Sequence, residues 1–202
     1  WSRWVIDLNR HPEREPLYHD GRIITDLCPV TTFLNQPLYR DRRTRIEGEE
    51  IARRKELYFQ PYHDKLGELL AAAHAEFGKV LLWDCHSIRR TVPTIRKEPF
   101  PDLILGSVDG TSAHVDLINT ALEALTRRDY TLQHNDPFKG GYITRHYGLP
   151  AKKQHALQLE MSKINYMDDL EIEYDPGKAK KTGELLYNAL SRISETLVSH
   201  KD

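Results

Sequence analysis

Two apolar runs constrain this fold more than any other feature: Val80-Leu81-Leu82-Trp83, ending at Asp84, and Ala156-Leu157-Gln158-Leu159, ending at Glu160. Runs this short and this continuous read as strands covered on both faces, since half-exposed strands alternate apolar with polar residues. Strands of that kind need helices above and below them. Residues 47–76 supply one, with Ile51, Leu57, Tyr58, Tyr62, Leu66, Leu69 and Leu70 at three- and four-residue steps, Pro61 set to kink or divide it and Gly78 set to end it. Residues 113–127 and 176–200 read as two more. Strands are predicted over 4–8, 79–84, 130–132 and 155–160. The segments 11–45, 90–111 and 136–148 lack periodicity and read as loops. The first of these carries Ile23, Ile24, Leu27, Val30, Phe33, Leu38 and Tyr39, too apolar for a solvated linker, so it is expected to pack. Alternating strands and helices predict an α/β fold, a single three-layer domain over 1–202 with a mostly parallel mixed sheet.

Charge and cysteine content narrow the partners. Twenty-nine Lys and Arg against thirty Asp and Glu leave a formal charge of -1, so no global field attracts nucleic acid or anionic lipid, and recognition by charge must be local. No stretch approaches the roughly 18 apolar residues of a spanning helix, and no membrane association is expected. Two cysteines, Cys28 and Cys85, are too few for a disulfide framework and are expected as free thiols in a reducing cytoplasm, with Cys85 packed in the core. No initiator Met opens the chain, and Trp1 begins inside the segment read as the first strand. The expectation is a chain lacking its amino-terminal segment.

In open α/β sheets ligands gather beyond the carboxyl ends of the strands. Three such ends carry polar groups here: Asn9-Arg10, Asp84-Cys85-His86-Ser87 and Glu160. Taken singly, a histidine after an apolar strand is more often structural than a ligand, and a strand-end glutamate is often solvated. Together, an imidazole, a carboxylate and guanidinium forks are the parts of a metal-assisted amide hydrolase. His86 is the expected metal ligand and Glu160 the expected general base, taking a proton from water and passing it to the leaving amine. Arg10, Arg89 and Arg145 are candidates to fork onto substrate carboxylates. His134, His146 and His155 are open as further ligands. Compact metal motifs, a phosphate loop, a dinucleotide fingerprint and a serine-hydrolase elbow are all absent from the sequence.

Several ordered blocks resemble the N-formylglutamate amidohydrolase family: residues 1–10, ending in Asp7-Leu8-Asn9-Arg10; Leu27-Cys28-Pro29 with Pro37-Leu38-Tyr39; Asp84-Cys85-His86-Ser87-Ile88-Arg89; Asp102-Leu103-Ile104-Leu105-Gly106 with Asp109-Gly110; 137–148; and 155–161. The resemblance covers residues 1 to about 175. It implies a zinc-exopeptidase-like (phosphorylase/hydrolase-like) fold and metal-dependent, zinc-type hydrolysis of N-formyl-L-glutamate to formate and glutamate in histidine degradation. By the same resemblance His86 binds the metal, Glu160 is the base, and Asn9 with Arg10 grips a substrate carboxylate. Family members also carry an upstream Pro-His-Ser-Gly-like turn and an acidic motif. This chain begins after both, so the remaining metal ligands are expected upstream of residue 1. Two alternatives stand beside the dicarboxylate hydrolase: an amidohydrolase for another N-acyl amino acid, and a non-catalytic protein that binds a small carboxylate.

Overall fold

The computed structural model describes residues 2–18, 26–41, 45–127 and 129–199. Four strands form an open sheet in the order β1-β4-β2-β3: β1 (Val80–Ile88), β2 (Leu103–Gly106), β3 (Leu132–His134) and β4 (Gln154–Ser162). The pairs β1·β4 and β2·β3 are parallel and β2·β4 is antiparallel, so the sheet is mixed and mostly parallel, as expected. Among the described residues five α-helices accompany it: α1 (Gly48–Arg54), α2 (Gln60–Phe77), α3 (Val115–Leu125), α4 (Tyr142–Tyr147) and α5 (Pro176–Ser199).

Alternation along the strands assigns the two faces. Leu103, Leu105, Leu157 and Leu159 pack with Leu117, Ile118, Ala121, Leu185, Ala189 and Ile193, which places α3 and α5 on one face and the main core between them. On the other face Val80 and Leu82 pack with Leu66 and Leu70 of α2 and Ile143 and Tyr147 of α4. That second cover extends only part of the way along β1 and β4. The same face continues through Asp84 and His86 on β1 and, in register with them, Gln158 and Glu160 on β4. The site therefore begins where an apolar row becomes a polar one.

Local chemistry explains the element boundaries. The helix expected over 47–76 is divided, as Pro61 requires: a π-helical turn, Lys55–Phe59, intervenes, and Pro61 falls in the first turn of α2, where its missing N–H is not needed. Gly78 closes α2 at φ 74° and its N–H donates to the His74 carbonyl at 2.8 Å. The His114 ring accepts from the Asp116 N–H and caps α3.

Several expectations are corrected. Residues 4–8 form turns, not a strand. Their backbone bonds to a turn and to distant groups in place of a sheet: the Val5 N–H donates to the Ser2 carbonyl, the Asp7 N–H to the Leu27 carbonyl at 2.8 Å and the Arg54 guanidinium to the Val5 carbonyl at 2.7 Å. Their apolar character has a different cause: Ile6 is buried in a second cluster with Leu27, Cys28, Ile46 and Phe59. Trp1, Ile23, Ile24 and His200 lie outside the described residues. Leu103–Gly106 is a fully buried strand inside the expected loop 90–111, and α4 lies inside the expected loop 136–148. The strand expected at 130–132 lies two residues later, as β3. Cys85 faces away from His86 as alternation demands, yet it is exposed on β1, at the edge of the sheet.

Candidate active site

His86 and Glu160 sit opposite one another on adjacent parallel strands, and Ile104 of β2 flanks Glu160 on its other side. They open into a cavity of about 750 Å³, also lined by Arg3, Asn9, Arg10, Arg89, Gln158 and Lys163. Of the residues predicted from sequence, Asn9, Arg10, His86, Arg89 and Glu160 share this one cavity. Arg145 does not line it. Its guanidinium packs over the Tyr18 ring, 5.6 Å from the centroid, and donates to the Gly140 carbonyl. Tyr18 is itself a wall residue, so Arg145 stands behind the wall.

Asp84 orients His86. Two residues apart on one strand, they share a face, and Asp84 Oδ1 lies 2.9 Å from His86 Nε2. The Asn9 amide nitrogen lies 3.0 Å from that same ring nitrogen and donates to Asp84 Oδ2 at 3.4 Å. A protonated Nε2 is thus met by a carboxylate and a bare one by an amide donor. Burial pulls the His86 pKa down, but the hydrogen bond and charge of Asp84, with Glu160 adding, outweigh it and the net shift is upward. Glu160 keeps a little surface open to the cavity while protein encloses the rest. Burial pushes its carboxyl up to about 7, with Asp84 adding and His86, Arg3 and Arg10 opposing. A carboxyl titrating near neutrality suits proton transfer in both directions.

Asn9 is held without a strand. Its Oδ1 accepts the Ile143 N–H at 2.7 Å, its own N–H donates to Asp7 Oδ1, and it is only 6% exposed. The amide is therefore engaged by protein on both ends, which makes Asn9 a support for His86 at the cavity wall. Gly141 is required beside it, because a Cβ there would fall 2.4 Å from the Asn9 amide. The Gly141 N–H donates to Gln158 Oε1 at 2.8 Å, which ties the start of α4 to β4 below the site. Gly106 allows the chain at Lys139 and Gly140 to rest directly on β2, where a Cβ would come within 2.8 Å of backbone atoms.

Arg10 lines the cavity next to buried Asp7, which does not. Burial lowers its pKa and Asp7 opposes this. Sequence reasoning missed Asp7, Arg3 and the role of Asp84. The two-residue spacing of Asp84 and His86 on a strand was a usable signal for one of them; the others belong to an irregular segment whose pairings follow no period.

None of the three further histidines joins His86. His155 is buried on the opposite side of β4 and its Nδ1 accepts the His114 N–H; His134 pairs with Ser107 at 2.7 Å; His146 stacks on Tyr142. Among the described residues no three His, Cys, Asp or Glu side chains converge to hold a metal ion. A catalytic zinc takes three protein ligands, so the imidazole of His86 with Asp84 at its back does not by itself make such a site.

Comparison with known proteins identifies the family and the fold. Residues 1–167 match the family model for N-formylglutamate amidohydrolase. The chain is 42% identical over 171 residues to an N-formylglutamate deformylase of Pseudomonas aeruginosa, covering 84% of this chain and 63% of that protein. It is 40% identical over 196 residues to an N-formylglutamate deformylase of Pseudomonas putida, covering 96% of this chain and 72% of that protein. It thus spans about two thirds of the length of these relatives. Its fold superposes on the crystal structure of N-formylglutamate amidohydrolase from Ralstonia eutropha JMP134 with a TM-score of 0.75 at 26% identity, over 96% of this chain and 74% of that one. A gene product of Agrobacterium tumefaciens shares the fold at a TM-score of 0.68 and 19% identity. By sequence and by fold, this chain belongs to the N-formylglutamate amidohydrolase family.

Proposed function

We propose that this chain carries the catalytic wall of a hydrolase that cleaves N-formyl-L-glutamate to formate and L-glutamate. The observation that carries the proposal is the pairing of Glu160, a carboxyl balanced near neutrality, with His86 across one strand register and with cationic groups around the same cavity. The relatives' names support the substrate.

Glu160 in its ionised form accepts a proton from a water molecule as the oxygen attacks the formyl carbon. It then returns that proton to the leaving nitrogen, so that the amide departs as a neutral amine. Arg10 and Arg89 hold the substrate carboxylates. Asn9 and Asp84 keep the His86 ring fixed. The proposal includes a divalent ion of zinc's class with His86 as one ligand, whose coordination the described residues do not complete. It also includes a cytoplasmic place in histidine degradation, where both free thiols, Cys28 and Cys85, stay reduced.

Formate release from N-formyl-L-glutamate, measured with added zinc and again with a chelator, tests the reaction and the metal together. Glu160→Gln is expected to keep the fold and lose turnover by about 100-fold or more, the usual reach of a general base. Turnover equal to wild type in the folded variant refutes the role of Glu160. Activity that survives the chelator refutes the metal.

A further inference from the structure

At the cavity wall, two guanidinium groups converge on one buried carboxylate. Asp7 Oδ2 lies 3.2 Å from Arg3 Nη2 and 3.5 Å from Arg10 Nη1, while Asp7 Oδ1 accepts the Asn9 N–H at 3.1 Å. Asp7 is 3% exposed and does not line the cavity, whereas Arg3, Asn9 and Arg10 all do. Two like charges brought this close repel one another, and an anion between them is what lets both point toward the same space. The Arg10 Nη1 atom also donates to the Asn9 carbonyl at 3.1 Å, and the Arg3 guanidinium lies 5.4 Å above the centroid of the Phe33 ring. Each cation therefore has a second contact that fixes its direction once Asp7 has fixed its place.

We infer that Asp7 is a positioning residue that sets Arg3 and Arg10 as a paired clamp for one carboxylate of the substrate. The inference rests on the reading of the cavity as the site for an N-acyl dicarboxylate. Asp7 holds both guanidinium groups at the edge of one cavity, where a single substrate carboxylate can meet them together. Asp7 itself touches no substrate.

The test is steady-state formate release by wild type and Asp7→Asn from N-formyl-L-glutamate and from its two monoamides, with calorimetric binding of L-glutamate alongside. For N-formyl-L-glutamate, KM is expected to rise about tenfold while kcat changes less than about threefold, the pattern of lost ground-state binding. For one of the two monoamides the KM shift is expected to stay under about twofold, because the carboxylate read by the clamp is already gone. An equal shift on all three substrates, or no shift, overturns the inference. Should Asp7→Asn fail to fold, Asp7→Glu keeps the charge and displaces it by one methylene; weaker binding of L-glutamate supports the clamp, and unchanged binding overturns it. A wild-type protein that binds L-glutamate but releases no formate defeats the proposed reaction and leaves the clamp to be judged by binding in the variants. Wild type that binds no L-glutamate defeats both.

Discussion

Glu160 illustrates how one residue can be costly to the fold and useful to the site. With its carboxyl at about 7 against an ordinary 4.5, the folded protein holds a proton that the unfolded chain releases between those values. Stability from this group is therefore intact below pH 4.5, falls as pH rises toward 7, and is fully lost above it. In metal-free protein, Glu160→Gln is expected to raise stability at pH 8 by on the order of 1–3 kcal/mol and to change little at pH 4. Urea unfolding of both proteins at the two pH values checks this; a variant equally or less stable at pH 8 contradicts it. The same residue was legible in the sequence as a carboxylate closing an apolar strand, and so was His86. The place of Arg145 behind the cavity wall was not legible in the sequence, because an arginine in a glycine-containing loop has no period to say which way it points. Asp7 was hidden for a related reason: its partners lie four residues before and three after, in a turn that looked like a strand.

At the level of elements, the short ones were the hardest to read. β2 has four residues, too few for alternation to register, and it follows a segment punctuated by Pro93, Pro99 and Pro101. α4 has six, begins after two glycines and owes its place to tertiary contacts: the Gly141 N–H on Gln158, the Ile143 N–H on Asn9, and Tyr147, whose hydroxyl lies 3.0 Å from His63 Nδ1. The long helices and the two apolar strands, whose patterns repeat, were legible to within a few residues. Because α4 is seated against Asn9 with no room for a side chain, Gly141→Ala is expected to push the two apart. The expected cost is about 1–3 kcal/mol of stability together with a fall in turnover, since Asn9 also contacts the His86 ring. Thermal unfolding and formate release measured on one sample decide it; an unaltered variant would mean that the Asn9 contact is dispensable.

Across the described residues, four clusters share the burial. The main one lies between the sheet and the helices α3 and α5; a second joins Ile6, Leu27, Cys28, Ile46 and Phe59 and carries the segment with Asn9 and Arg10. The two cysteines report on this division. Cys85 is exposed on β1, although burial of its sulfur and the nearby Asp84 push its thiol up; Cys28 is 3% exposed. A thiol reagent is expected to modify Cys85 in the native protein, faster as pH rises toward 9, and to reach Cys28 only when the second cluster opens. Mass spectrometry of peptides against time separates the two. Equal rates would mean that the cluster under Asn9 is open in the native state.

The mixed register of the sheet has one more consequence. Val80 to Ile88 pairs residue for residue with Gln154 to Ser162, and the face that buries Val80, Leu82 and Ala156 is the face that presents His86 and Glu160. A slip of β4 by a single residue would turn Leu159 and Met161 toward the cavity and drive Glu160 into the apolar layer beneath. The geometry of the candidate site and the burial of the apolar layer are thus set by one register, so that a slipped strand loses both.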